Sequence, residues 1–343
     1  MLNVRNLKQY LRTPKKIVIT THHNPDADAL GSSLGLRSYL LKKGHEVAVI
    51  SPNEYPRFLH WMEGNEEVIV YGEENRVRPG KLIGEAQLIF CLDFNTLERI
   101  DGLENLIRES RAKKVLIDHH LEPEHFADYE FSSIDAAATS ELIYEFIVSM
   151  GDRDVIDPGI AECLYAGIMT DTGQFKHNNV TQNVHFVTAN LMALGADTAK
   201  VGSLIYDNNS YERVRFLGYS LYNRMVFLPE FNTAYIALSD QDQREFHAQA
   251  GDTEGLVNYP LSISEVGLAA LITEREEGVK LSFRSKGEFS VNDFARKHFS
   301  GGGHKNAAGG SSKLSLDETV RRFVDILREY QSALNELYHE TKN

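Results

Sequence analysis

The stretch KIVITTHHNPDADALGSSLGLRSYLLKKG, residues 16–44, decides how the chain is to be folded. It opens on an apolar, β-branched run, Ile17-Val18-Ile19, that reads as a buried strand. It closes on an amphipathic segment ending at Gly44, where a helix C-cap is expected. The loop between strand and helix is crowded: residues 22–28 hold His22, His23, Asp26 and Asp28. Asn24 and Pro25 shape a turn, and Gly31 lets the helix start close to the sheet. A turn has no use for His22, Asp26 and Asp28 together.

The same alternation continues along the chain. EVAVIS (46–51), AQLIFCLD (86–93) and KKVLIDHH (113–120) are further apolar runs, separated by helical segments such as IDGLENLIRESRA. Strands alternating with helices predict an α/β fold, a parallel β-sheet flanked by helices. Helical patterns over 140–151, 158–175 and 181–197 complete a large domain spanning residues 1–197, with Gly151 and Gly195 at further C-caps. Residues 198–228 are polar and helical and read as a linker. Residues 229–343, with hairpin patterns and a closing helix, predict a smaller α+β domain.

Composition excludes several classes. Of 343 residues, 42% are hydrophobic, enough for a packed core. There is no apolar run of about 18 residues, and no apolar signal core follows the basic N-terminus, so no membrane association is expected and the expected location is cytoplasmic. Cys91 and Cys163 are the only cysteines and lie in no CxxC spacing, so neither a disulfide nor a cysteine zinc site is expected. The net charge of −13 argues against long DNA as a partner but leaves room for a short nucleotide in a local pocket.

In a parallel α/β sheet the C-terminal strand ends form one rim, and ligands bind there. His22, Asp26 and Asp28 follow the first strand, Asp93 ends another, and Asp118, His119 and His120 end a third. Asp171 closes the apolar helical segment of GIMTDTGQF. Singly, some of these have plain structural uses: NPDAD is an Asp-capped turn, and a strand-end Asp is common. Three ionisable residues closing an apolar strand, however, are costly to bury unless paired, and so is Asp171. A metal site explains all four elements at once. Carboxylates first, imidazoles second and no thiolate suit Mn²⁺, Mg²⁺ or similar harder ions better than structural zinc. The number of carboxylates suggests two divalent cations, with Asp93 the candidate shared ligand.

A second signal is FSGGGHKNAAGG (299–310). Gly301, Gly302 and Gly303 leave backbone N–H groups open to an anion, and His304 and Lys305 can meet phosphate charge. Lys280, Arg284, Lys286, Arg296, Lys297 and Lys305 face only Glu288 and Asp293 within residues 279–306, a local net charge of +4. That predicts a basic surface on the small domain. Phe283, Phe289 and Phe299 are available either to stack on a base or to fill the core.

HHNPDADALGS, the Asp of CLDFN, Asp118-His119-His120 and MTDTGQF, in that order, resemble the motifs of the DHH phosphoesterase superfamily. GGGHKNAAGG resembles the signature of its DHH-associated C-terminal domain. The resemblance implies one manganese ion on His22, Asp26 and Asp93 and a second on Asp28, Asp93, His119 and Asp171, with Mg²⁺ or Co²⁺ as other cations the sequence does not exclude. It implies His120 beside the scissile phosphate as electrophile or acid, with Asp118 orienting the neighbouring histidine. Arg284, Gly301, Gly302, Gly303, His304 and Lys305 would bind the substrate's phosphate and terminal nucleotide. His23 has no assigned role.

Length and motif order resemble most the superfamily's bifunctional group, which acts on very short RNAs and on 3′-phosphoadenosine 5′-phosphate (PAP). The implied activity is metal-dependent hydrolysis of short oligoribonucleotides to mononucleotides and of PAP to AMP. A phosphodiesterase acting on cyclic di-AMP or linear dinucleotides is the alternative. A third reading, a nucleotide sensor without catalysis, would not need every ligand kept. Oligomeric state is not legible, and a homodimer through the large domain is the expectation carried forward.

Overall fold

The computed structural model describes residues 4–207, 209–249 and 251–340. The chain divides into two compact units, residues 1–208 and 209–343.

The first unit is built on strands β1 (Lys16–Thr21), β2 (Glu46–Ser51), β3 (Ile69–Val70), β4 (Leu88–Leu92), β5 (Lys113–Asp118) and β6 (Tyr129–Ser132). Their order is β3-β2-β1-β4-β5-β6, and every pairing is parallel. From β1 the chain winds outward through β2 and β3; from β4 it winds the other way through β5 and β6. The order reverses between β1 and β4, so a crevice opens beyond the C-terminal ends of those two strands. The loop carrying His22 and the residue Asp93 leave the sheet at that point. Ile17, Ile19, Phe90 and Ile117 pack on one face with the helices Ala27–Lys42, Thr139–Ser149 and Pro158–Asp171. Val18, Ile89, Cys91 and Leu116 pack on the other with Ile83, Leu97 and Ile100. Burial on both faces is why these strands read as unbroken apolar runs. Strands β3 and β6 are not evident in the sequence, because β3 is two residues long and β6 is an edge strand mixing polar and apolar residues.

Asp26 caps the helix Ala27–Lys42, its Oδ1 accepting the N–H groups of Asp28 and Ala29 at 3.0 Å each. Gly31 serves a different approach from the one expected. Its neighbour is helix Pro158–Asp171, not the sheet: a Cβ there would overlap the Cys163 carbonyl oxygen, and one on Gly35 would meet Leu164. These two glycines let the helices pack backbone to backbone, which brings Asp28 toward the helix that ends at Asp171. Gly44, Gly151 and Gly195 follow three helices with φ of +85°, +78° and +104°, the left-handed conformation of a helix end.

The second unit holds β7 (Met225–Leu228), β8 (Thr233–Leu238), β9 (Leu268–Arg275), β10 (Gly278–Ser285), β11 (Gly302–His304) and β12 (Ala307–Ser312). Their order is β11-β12-β10-β9-β8-β7, antiparallel except for β8 with β9. One face buries Phe283, Phe294, Phe299 and Phe323 beneath the helices Val291–His298 and Leu316–Leu327. Phe283, Phe289 and Phe299 are thus core residues, and none is available to stack on a base. Residues 198–228 are shared out rather than forming one connection. The helix Thr198–Tyr206 adds Val201 and Ile205 to the first unit's core, and Tyr211–Tyr219 adds Phe216 to the second's. Among the described residues no helix is long and apolar enough to cross a membrane.

The helix contact sets a pair of opposite expectations. Gly31→Ala forces the two helix backbones apart and is expected to cost about 1–3 kcal/mol. Gly202, in the helix Thr198–Tyr206, has open space around a Cβ, so Gly202→Ala is expected to gain about 0.4–1 kcal/mol. Thermal melts of both variants check the signs.

Candidate metal centre

The two histidines nearest the switch point present the same edge. His22 Nδ1 meets the His23 carbonyl oxygen at 2.9 Å, so Nδ1 carries a proton and Nε2 is the edge turned to the aspartates. That Nε2 lies 3.4 Å from Asp93 Oδ2 and 4.0 Å from Asp26 Oδ2. His119 Nδ1 faces the Ala136 carbonyl at 3.4 Å. Its Nε2 lies 3.4 Å from Asp93 Oδ1, 3.4 Å from Asp171 Oδ2 and 3.9 Å from Asp28 Oδ2. The structure therefore gathers His22, Asp26 and Asp93 into one group, and Asp28, His119 and Asp171 into another, the donor atoms within 4.8 Å of each other in each. Asp93 turns one oxygen to each histidine. It adopts φ +65°, the left-handed region that a non-glycine residue occupies only when its surroundings enforce it. The enforcement is visible: its N–H donates to the Ile117 carbonyl at 3.1 Å, and its Oδ1 accepts the Thr139 hydroxyl at 2.9 Å.

Thr139 and Ser140 escaped the sequence reading, which saw there only the start of a helix. Their backbone N–H groups, at the N-terminus of helix Thr139–Ser149, donate to Asp28 Oδ2 at 2.6 Å and Oδ1 at 2.8 Å. The positive end of the helix dipole thus holds a buried carboxylate in place. Gly167 is required beside it, because a Cβ would come within 2.5 Å of Asp28 Oδ1. Asn24 was read as a turn former. With φ +57° it also exchanges bonds with Asn53: its N–H donates to Asn53 Oδ1 at 2.6 Å, and Asn53 Nδ2 returns a bond to its side chain at 2.9 Å.

Asp118 does not orient the adjacent His119. It accepts from His120 Nδ1 at 2.7 Å, because alternate residues of an extended segment share a face and consecutive ones do not. His119 and His120 meet edge to face instead, their ring centroids 4.9 Å apart.

The proton affinities in this cluster lie far from their ordinary values. Burial pushes the Asp28 carboxyl up to about 7, and the charge of Asp93 adds to the rise. Asp171 is pushed well above the ordinary carboxylate value, by burial first and then by Asp28 and Asp26. Asp93 goes the other way: burial opposes its charge, but hydrogen bonds from His119 and His22 outweigh burial and hold it well below the usual value. Burial likewise opposes protonation of His119, yet Asp93 and its neighbours raise that imidazole to about 10. Protons stand among these donors where a dication would replace them. The donor set, carboxylate oxygens with two imidazole Nε2 atoms, fits a hard or borderline divalent ion.

In the second unit the glycine stretch is a hairpin. Gly302, Gly303 and His304 pair with Gly309, Ala308 and Ala307. Gly303 (φ +154°) sits so close to β12 that a Cβ would meet the Ala307 carbonyl. The N–H groups of Gly301 and Gly303 are not open donors: they bond the Ala295 carbonyl at 3.3 Å and Asn292 Oδ1 at 2.9 Å. Arg284 and His304 both pair with Ala307, from opposite sides, so the three lie in one row across β10, β12 and β11. Lys305 pairs with Glu288 at 2.7 Å. The six basic residues do not make one surface. Lys280 and Arg284 alternate along β10 with Leu281 and Phe283 of the aromatic core, whereas Arg296 and Lys297 ride on the helix that covers that core.

The profile of the DHH family, N-terminal domain, matches residues 16–168, and that of the DHHA1 domain matches residues 232–333. The chain belongs to the DHH phosphoesterase family and is a hydrolase acting on ester bonds. The bifunctional oligoribonuclease and PAP phosphatase NrnA of Thermus thermophilus is 30% identical to it over 317 residues, 91% of this chain and 89% of that protein. The crystal structure of an exopolyphosphatase-related protein from Bacteroides fragilis shares 39% identity, with a TM-score of 0.93 over 97% of each chain. RecJ of Thermus thermophilus, solved in complex with Mn²⁺, shares 14% identity at a TM-score of 0.52 over 96% of this chain and 54% of that one, a likeness of fold alone.

Two measurements probe the centre. Thr139→Val removes the hydroxyl that steadies Asp93 and keeps the backbone donors to Asp28; Mn²⁺ affinity, read by calorimetry, is expected to fall by about 10–100-fold. The second concerns pH. Asp28 keeps its proton in the folded chain up to about 7, whereas the unfolded chain loses it near 3.8. His119 acts in the same sense between 6.5 and about 10. The stability these groups add is fully present below the unfolded values and is lost as pH rises through the folded ones. The melting temperature of the cation-free protein is therefore expected to drop between about pH 4 and about pH 10, and Mn²⁺ to restore more of it at the higher pH.

Proposed function

We propose that this protein is a metal-dependent phosphoesterase that hydrolyses short oligoribonucleotides to mononucleotides and PAP to AMP, acting in the cytoplasm. The observation that carries the reading is Asp93, one carboxylate whose two oxygens face two separate histidine–aspartate groups. The relative from Thermus thermophilus, whose name states both activities, supports the substrate choice. Cys91 and Cys163, buried and free, suit a reducing compartment.

In this reading His22, Asp26 and Asp93 hold one divalent cation, and Asp28, Asp93, His119 and Asp171 hold a second, with manganese the ion proposed. Such a pair supplies charge that stabilises the attacking and leaving oxygens of a phosphoryl displacement. The chain's own residues do the rest. Asp118 holds His120 at Nδ1, leaving Nε2 as the working edge. Burial lowers the proton affinity of His120 in spite of Asp118, so the free imidazole is neutral and its Nε2 is first an acceptor. It takes a proton from solvent as the anionic substrate binds and gives it to the leaving oxygen as the P–O bond breaks. Arg284 and His304, with Lys305 beside them, grip the substrate's outer phosphate and terminal nucleotide. The excess of negative charge over the whole chain disfavours long polyanions and leaves short ones, whose one or two phosphates a local basic group can hold.

A substrate panel with product analysis in Mn²⁺ tests this. Di- to pentaribonucleotides and PAP are expected to yield mononucleotides and AMP, and Asp93→Ala is expected to abolish turnover while keeping the fold by circular dichroism. Faster cleavage of cyclic di-AMP than of any linear compound would reassign the substrate; tight nucleotide binding with no product would leave a sensor.

A further inference from the structure

The segment after Asp93 carries a residue to which the motifs give no task. Residues 97–103 form a short turn whose Leu97, Ile100 and Leu103 are fully buried. Between them stands Arg99, with both backbone groups tied down. Its N–H donates to the Thr96 carbonyl at 3.1 Å, and its carbonyl accepts the His23 N–H at 2.7 Å. Arg99 is thus joined directly to the loop that bears His22, Asp26 and Asp28, and its Cα position is rigid.

The side chain is half-buried, and among the described residues its guanidinium has no hydrogen bond, ion pair or ring partner. The other arginines that the described residues bury or half-bury do have one: Arg37 pairs with Glu67, Arg213 bonds the Glu254 carbonyl, and Arg284 bonds the Phe283 carbonyl. The backbone of Arg99 nevertheless lies at the cluster: its carbonyl is bonded by His23, the residue next to His22, and it stands on the segment that leaves β4 through Asp93. His22 and His120 follow β1 and β5, and β4 lies between these strands, so the segment after β4 that carries Arg99 belongs to the same rim. An arginine kept there as a counter-ion would bond one of the neighbouring aspartates; this one bonds none. What a guanidinium offers at such a place is a planar fork of N–H donors that matches two oxygens of one phosphate.

We propose that Arg99 is a substrate-contacting residue, its fork holding non-bridging oxygens of the phosphate under attack beside His120. The assignment rests on the phosphoesterase reading above and adds to it a residue supplied by the catalytic unit itself. It also gives the Leu97–Leu103 turn a purpose beyond packing: its three buried leucine and isoleucine side chains anchor the arginine as Asp93 is anchored by Ile117 and Thr139.

Arg99→Ala and Arg99→Lys are compared with the parent protein on a diribonucleotide in Mn²⁺. Loss of one such donor is expected to lower kcat/KM by about 10²–10³-fold, mostly in kcat. Lysine is expected to recover only a small part, because a point charge does not reproduce the fork. Added guanidinium ion is expected to rescue Arg99→Ala and not the parent, while Mn²⁺ affinity and melting temperature stay at parental values. Binding of inorganic phosphate to the Mn²⁺-loaded protein, by calorimetry, is expected to weaken in Arg99→Ala. Parental turnover and phosphate affinity in Arg99→Ala overturn the assignment, and so does an activity loss that tracks lost Mn²⁺ affinity and is not rescued by guanidinium. If the parent protein cleaves none of the substrates, the proposed function fails, and phosphate affinity alone then decides the role of Arg99.

Discussion

A buried carboxylate lying on the N-terminus of a helix is the interaction around which the first unit is organised. Asp28 comes from the helix after β1, and the N–H groups that hold it come from Thr139 and Ser140. Gly167, on a third helix, is small so that the carboxylate has room. Three helices are therefore fitted to one negative charge. The same Thr139 turns its hydroxyl to Asp93, so a single helix end sets the position of ligand candidates from two different strands. An unpaired carboxylate in that place would be costly to bury, whereas one with two backbone donors and a nearby cation is not.

Two strained backbone positions stand at the site. Asp93 takes a left-handed backbone at the point where the strand order reverses, and Asn24 takes another in the loop facing it. Each is held by bonds to a neighbouring strand or loop: Asp93 by Ile117, Asn24 by Asn53. Such conformations persist when the surrounding structure over-determines them. The charges are concentrated. Three carboxylates with conflicting proton affinities and a strongly basic imidazole occupy a few ångströms, an arrangement that favours divalent cations over protons as pH rises.

Much of the cluster was legible in the linear sequence because its members break a pattern. Asp93, His119 and His120 close apolar strands, and Asp171 closes an apolar helix; ionisable groups in such places need a partner, and the structure brings their donor atoms together in small groups. Thr139, Ser140 and Arg99 break no pattern. Two of them act largely through backbone N–H groups that every residue has, and the third sits in a polar stretch between motifs where an arginine is unremarkable. The glycine-rich segment misleads for the opposite reason. Gly-Gly-Gly reads as an open loop, yet Gly303 is there because β12 passes too close for a side chain, a constraint set by residues that pair with it across the hairpin.

The sequence by itself determined the fold class, the strand ends on which the ionisable residues lie and the kind of cation they suit. Those follow from burial and periodicity, which are local properties of a chain. Which oxygen of Asp93 faces which histidine, that Asp118 holds His120 and not His119, and that Arg284 and His304 share a row while Arg296 and Lys297 lie elsewhere were decided only by the tertiary structure. These depend on strand order, register and helix packing, where residues far apart in the chain fix one another's orientation.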